Sequence, residues 1–276
     1  MVINMKKKTK DKYESPIDVK PLRRAGQSLE EERDRIFDDE VSIYAAYICT
    51  MLGVVIVTWF NYLFPSKISL VVITLMGIGA VLFSIFKILI LKKQFKHIKL
   101  GLEGEKYMGD LLDELKQSGN YVLHDFVDEK GNIDHIIVNK NGVFVIETKT
   151  LSKPTDGSSY KLKYDGQTIS YLDGAPLPKQ PFDQAQSCAR ALREFISKKT
   201  GENCWVQPIV VFPRWFINSQ TAPYNKTQHK VWVCNPKNIK DLVNEPTGSK
   251  GLDSVEKVYN ELADYIRNYE PTTKKP

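Results

Sequence analysis

The chain has 276 residues, enough for one ordinary globular domain with attachments. A net charge of +6 and a pI near 8.9 make it mildly basic, which admits a polyanionic partner without requiring one. Its four cysteines, Cys49, Cys188, Cys204 and Cys234, form no CxxC pair, so neither a zinc site nor a disulfide framework organises the fold, and reduced thiols suit a cytoplasmic domain.

Residues 1–40 are polar and charged, with Lys6, Lys7, Lys8, Lys10 and Lys12 near the start. They hold too few large apolar groups to offset the entropy of ordering. A disordered basic tail is expected there, or a short surface helix over Ser28 to Asp39.

Two apolar runs follow. Residues 41–64 carry no charged side chain, and residues 68–91 carry only Lys87. At about 1.5 Å per residue each run reaches roughly 36 Å as a helix, enough to cross a hydrocarbon core of about 30 Å. Neither run has the polar face of a buried core helix. Only Pro65, Ser66 and Lys67 separate them, which predicts a transmembrane hairpin with both outer ends on one side. Arg23, Arg24, Arg33 and Arg35 precede the hairpin, and Lys92, Lys93, Lys96 and Lys99 follow it. Against Lys67 in the turn, the positive-inside rule predicts that both termini face the cytoplasm, at the inner face of the cell membrane.

From His97 the pattern changes to alternating helix and strand signals, and a soluble domain is expected over 97–245. Glu103 to Gln117 has the spacing of an amphipathic helix, with Met108, Leu111, Leu112 and Leu115 on one stripe. Tyr121 to Val127 is a predicted strand. Ile133 to Val138 and Val143 to Thr148 are two more, joined through Asn139, Lys140, Asn141 and Gly142, a hairpin turn signal. Short strands are expected around Tyr160 to Tyr164 and Thr168 to Tyr171. Phe182 to Lys199 is a second amphipathic helix; Trp205 to Phe212 and Val231 to Cys234 are apolar strands; Asn238 to Val243 is a short helix. A last helix, Leu252 to Asn268, lies in a C-terminal segment, 246–276, and either packs on the domain or forms a tail. This order gives an α/β fold with a central mixed sheet.

The hairpin carries the chemistry. With a four-residue turn Val138 pairs with Val143, and Asp134 falls opposite Glu147; with a two-residue turn Asp134 faces Lys149 on the same face. Strand alternation puts Glu147 and Lys149 on one side. Either way three charged groups gather at the otherwise apolar end of a hairpin, where charge is costly unless it is used. Two neighbouring carboxylates call for a hard divalent cation with oxygen ligands, such as Mg²⁺ or Mn²⁺. That ion acidifies its bound water and stabilises charge on a phosphate, and Lys149 beside it would orient the water and offset the phosphate charge.

Four segments then match a known pattern in order: Gly101-x-x-Gly104-Glu105, Asn132-Ile133-Asp134-His135, Gly142-Val143-Phe144-Val145-Ile146-Glu147-Thr148-Lys149, and Pro181-x-x-Gln184-Ala185. Together they resemble NERD, the nuclease-related domain, over roughly Lys99 to Leu192 and more loosely to Leu242. That family is assigned to the PD-(D/E)XK nuclease superfamily. The resemblance implies a restriction-endonuclease-like mixed sheet flanked by helices, here preceded by the transmembrane hairpin. It implies Asp134 and Glu147 as metal ligands and Lys149 as the catalytic lysine. Glu105, also a candidate ligand, and Gln184 would complete the site.

From helical spacing alone, Glu105 and Gln184 border the inward stripes of their helices, while Glu103 points away. Two plainer roles stay open for them: Glu105 as an early-turn acid favoured by the helix dipole, and Gln184 as an N-terminal capping contact. His135 falls on the face opposite Asp134 and reads as packing or as support behind the ligands. Lys161, Lys163, Lys179, Arg190 and Arg193 form a patch able to hold a phosphate backbone. The function that follows is a membrane-anchored nuclease acting on nucleic acid, DNA before RNA, with foreign DNA as one target. The competing classes are a catalytically silent nucleic-acid-binding or signalling module and a membrane scaffold for a partner protein. A homo-oligomer is compatible with all three.

Overall fold

The computed structural model describes residues 20–63, 70–128, 131–153, 160–219, 230–244 and 252–269. The basic residues near the N-terminus and the expected turn at Pro65, Ser66 and Lys67 lie outside them.

Helix α1 (Gln27–Ile36) passes through a π-helical turn at Phe37–Val41 into α2 (Ser42–Leu63). Helix α3 (Leu70–Asp113) runs back beside it. Both α2 and α3 are long and apolar enough to cross a bilayer. Their outer faces carry bare apolar side chains such as Ile56, Leu63 and Phe86. Soluble monomers rarely show such a continuous apolar surface.

The sequence predicts a second span ending at Leu91 and a separate helix beginning at Glu103. The structure has one helix of 44 residues instead, closed by a 3-10 turn at Glu114–Ser118. No helix breaker falls between Leu91 and Glu103. The residues there, Lys92-Lys93-Gln94-Phe95-Lys96-His97-Ile98-Lys99-Leu100, include good helix formers, and Gly101 alone costs only about 1 kcal/mol. The end of α3 therefore becomes a wall of the folded domain.

That domain is built on a five-stranded sheet in the order β1 (Tyr121–Asp128), β2 (Gly131–Asn139), β3 (Gly142–Thr148), β6 (Val206–Val211) and β8 (Trp232–Cys234). The β1–β2 and β2–β3 pairs are antiparallel, and β3–β6 and β6–β8 are parallel, so the sheet is mixed. Every residue of β3 and β6 is buried. Their near-continuous apolar sequence is what central strands covered on both faces require. On one face Met108 and Leu112 of α3 pack on Ile137, Phe144 and Ile146, joined by α5 (Ile239–Asn244). On the other, Leu192 and Ile196 of α4 (Phe182–Thr200) and Leu262 and Ile266 of α6 (Val255–Asn268) pack on Ile136, Val138, Val143 and Val145. The C-terminal helix is thus part of the core.

A smaller sheet joins β4 (Lys161–Tyr164) with β5 (Ile169–Tyr171) and with β7 (Phe216–Ser219), a strand that the sequence reading lacks. The segment before the hairpin also departs from the expected tail or surface helix. Leu22 packs on the core under α4 and α6, Ile36 is buried, and Arg23 pairs with the buried Asp125 at 2.5 Å. Residues 20–36 belong to the folded domain.

Candidate active site

The β2–β3 register fixes the acidic end of the sheet. Val138 pairs with Val143 and His135 with Ile146, which is the register of the four-residue turn. The next step along both strands sets Asp134 across from Glu147. Asp134 Oδ2 accepts the Thr148 backbone N–H at 2.7 Å, so the strand end itself aims that carboxyl. One residue further, the Lys149 N–H donates to Val211 O at 2.9 Å and carries the parallel pairing to β6 past the end of β3. Lys149 is held in line with Glu147 for this reason.

The Lys149 ammonium lies 2.6 Å from Glu147 Oε1 and donates to Gln184 Oε1 at 2.9 Å. Gln184 stands in the first turn of α4, yet that helix has no side-chain cap bond at its N-terminus. The amide orients the lysine and does not cap the helix. Glu105 comes from α3, far from any helix start, which removes the early-turn reading of that acid. It reaches the sheet because α3 lies close against the strand end. Gly104 faces Thr150 so tightly that a Cβ at this position would overlap the threonine hydroxyl. This close approach gives the glycine before Glu105 its physical reason.

Five side chains widely separated in sequence, Glu105, Asp134, Glu147, Lys149 and Gln184, thus share one end of the sheet. Glu105 and Asp134 are each 7 % exposed and Glu147 1 %. Burial, then the charges of Asp125 and Glu147, push the Glu105 carboxyl up to about 8. Burial, then Glu147 and Glu105, hold Asp134 well above the ordinary carboxylate range, against the opposing Thr148 bond. Burial also raises Glu147, with Lys149 opposing it and Lys179 adding a weaker pull. The Glu105 and Asp134 shifts report negative charge crowded into a dry place, and the Glu147 shift reports burial.

Two oxygens of this set could serve a divalent cation. Glu105 Oε2 and Glu147 Oε2 are buried without hydrogen-bond partners, and buried carboxylate oxygens otherwise find one. Among the described residues no three His, Cys, Asp or Glu side chains close a ligand set by themselves. A partial set of carboxylate oxygens suits Mg²⁺, which keeps several waters and takes oxygens from a phosphate.

Asp125, which the sequence reading passed over, sits beside these acids. It adopts a left-handed φ of 53° where the β1–β2 ladder skips from His124↔His135 to Phe126↔Ile133. Its Oδ2 accepts both Arg23 Nε and the Ser28 N–H, while Oδ1 is buried without a partner. Asn132 Nδ2 donates to the Ser28 hydroxyl at 2.8 Å and fastens the same segment to β2. Gly26, at φ 74°, turns its N–H to Glu105. No short-range pattern could have revealed this group, because Arg23 and Asp125 lie 102 residues apart.

The histidines form a buried relay on the α3 face. Asp113 Oδ1 meets His124 Nε2, and His124 Nδ1 meets His135 Nδ1, each at 2.9 Å. Burial lowers His135 well below the usual histidine range and lowers His124 as well, so both rings pack as neutral groups. Cys188 borders the acids, and burial followed by the charges of Glu147 and Asp134 pushes its thiol up to about 12. It stays protonated. The basic patch divides: Lys179 acts on Glu147, whereas Arg193 is drawn to Asn203 and lies over the Trp205 ring.

A mixed sheet flanked by helices, with acids and a lysine at the shared end of two central strands, defines a restriction-endonuclease-like α/β domain. The family model described as the nuclease-related domain, NERD, matches residues 100–213, and that segment is a NERD domain. It holds all five candidate side chains as well as Asp125. Among solved structures, SfsA of Pyrococcus furiosus in complex with Ca²⁺ is similar at 16 % identity, over 49 % of this chain and 55 % of that one, with a TM-score of 0.23. The chain therefore spans about half the length of that protein. No curated protein matches the chain.

Proposed function

We propose that this protein is a membrane-anchored nuclease that hydrolyses phosphodiester bonds with Mg²⁺ or Mn²⁺ and faces the cytoplasm. The observation that carries the reading is the joint one at the sheet end: crowded acids with open, buried oxygens, and a lysine bonded to both Glu147 and Gln184. The NERD match supports it at the level of the domain.

When bound, a divalent cation supplies positive charge to a scissile phosphate and acidifies water. The chain's own groups account for the rest. Glu105 and Glu147 offer the open oxygens that would hold the ion, and Asp134 adds a carboxyl fixed in direction by Thr148. Lys149, held by Gln184, brings an ammonium against charge that builds on the phosphate, which a preorganised donor stabilises best at a dry site. DNA is favoured over RNA by analogy with the superfamily. Anchoring rests on the two long apolar helices, and the cytoplasmic orientation on the arginines and lysines that flank them. Cleavage confined to the inner face of a membrane suits defence against entering foreign DNA.

The test uses the full chain, since removing residues before 97 would strip Arg23 from buried Asp125. Purified protein should degrade plasmid DNA faster than RNA with Mg²⁺ and degrade neither with EDTA. Binding without cleavage under both conditions would make it a silent module.

A further inference from the structure

A groove of about 720 Å³ opens between α1 and the part of α3 that links the apolar hairpin to the domain. Its basic lining is Lys92, Lys93, Lys96, Lys99 and Lys106 on α3, with Arg33 facing them from α1. Leu89, Phe95 and Leu102 supply its apolar surface. Leu89 is largely exposed at the end nearest the hairpin, and Phe95 meets Phe37 edge to face at 6.5 Å between ring centres.

The charges are incompletely matched from within. Lys106 is paired with Glu30 at 2.5 Å and Arg33 with Asp34 at 2.7 Å, while Lys99 stands 4.0 Å from Glu103, the one carboxylate of the lining. Among the described residues Lys92, Lys93 and Lys96 have no ion pair. The acidic run Asp38, Asp39 and Glu40 at the head of α2 lies outside the lining and pairs with none of them.

Resting on the reading that α2 and α3 span a bilayer, we infer that this groove binds the headgroup phosphate of an anionic phospholipid. The apolar run of α3 ends at Leu91. The headgroup layer adds roughly 5 to 7 Å per leaflet, or about four helical residues. Lys92 and Lys93 fall within that layer, and Lys96 stands at its outer edge. Lysines after a span satisfy topology alone, but topology does not call for a second helix that closes a pocket with Arg33 and an aromatic wall. A basic pocket between helices on this side of a membrane is the form that recognises anionic headgroups. The apolar end favours lipid over nucleic acid, because a phosphate backbone offers no acyl chain to cover Leu89 and Phe95. Occupancy would also clamp α1 to α3 near the site, since Glu105 lies two residues beyond Glu103 on the same helix.

The experiment titrates the delipidated full chain in detergent with phosphatidylglycerol or phosphatidylcholine and counts bound lipids by native mass spectrometry. A parallel flotation assay uses phosphatidylcholine vesicles. The expected result is binding of phosphatidylglycerol at least about tenfold tighter than phosphatidylcholine, weakened about fivefold by Lys96→Gln and again by Arg33→Gln. Inorganic phosphate or a DNA duplex should not displace it. Displacement by either would reassign the groove to free anions or nucleic acid and overturn the proposal. So would equal affinity for the two lipids, or an unchanged affinity in Arg33→Gln. A chain that floats but does not discriminate defeats this inference alone; one that does not float defeats the anchoring reading with it.

Discussion

Glu147 and Lys149 reach the site from the end of one strand, two residues apart and tied to each other at 2.6 Å. Glu105 reaches it from a 44-residue helix whose other end lies in the apolar hairpin, and its neighbour Asp125 is held by Arg23 from the segment that leads into that hairpin. The first side is set by the register of the β2–β3 hairpin and by the parallel pairing of β3 with β6. The second exists only when residues 20–36 and α3 are docked. One side supplies the chemistry that a sequence motif can record, and the other ties that chemistry to the two helices long and apolar enough to cross a membrane.

The largest effect is expected on the strand side. Glu147→Gln should abolish metal-dependent cleavage while circular dichroism and melting remain near wild type. The exchange keeps size but removes both an ion-holding charge and the partner of Lys149. Undiminished cleavage would move the site elsewhere.

Lys149→Ala should come next, losing about a hundredfold in rate, the cost of about 3 kcal/mol for removing one preorganised charge at a transition state. Mn²⁺ affinity should be kept, because the lysine is not a ligand. A purely structural lysine would instead lower the melting temperature, and the lost activity would follow the unfolded fraction.

On the helix side the effect is expected in stability first. Arg23→Ala leaves Asp125 buried without its cation, which typically costs about 3 kcal/mol or more. Thermal unfolding of the full chain should fall accordingly, and Arg23→Ala with Asp125→Asn should recover most of the loss. A single variant as stable as wild type would mean that the docked segment carries no energy.

This difference also explains what the sequence could disclose. Asp134, Glu147 and Lys149 were legible because a hairpin with period-two alternation has few registers, and both candidate registers put these groups on one face. The mixed sheet was legible from the spacing of apolar strands. Asp125 was not, because its position depends on a left-handed residue inside β1 and on an arginine 102 residues away. Nor was the continuity of α3: a lysine-rich stretch after an apolar run marks the edge of a bilayer, yet is as good a helix former as what precedes it. Strand β7 is not legible in the sequence because Phe216 to Ser219 is too short to show a period of its own.

If the two sides act as one site, the helix-borne carboxyl and the strand-borne one hold the same ion. Titrating Mn²⁺ into the full chain, wild type against Glu105→Gln, tests it most directly. Glu105 is buried with an open Oε2 and its exchange for glutamine removes charge without removing volume. One Mn²⁺ per chain is expected, with an affinity at least about tenfold weaker in the variant, where each tenfold is about 1.4 kcal/mol. An affinity unchanged by Glu105→Gln would contradict it and leave the strand side to act alone.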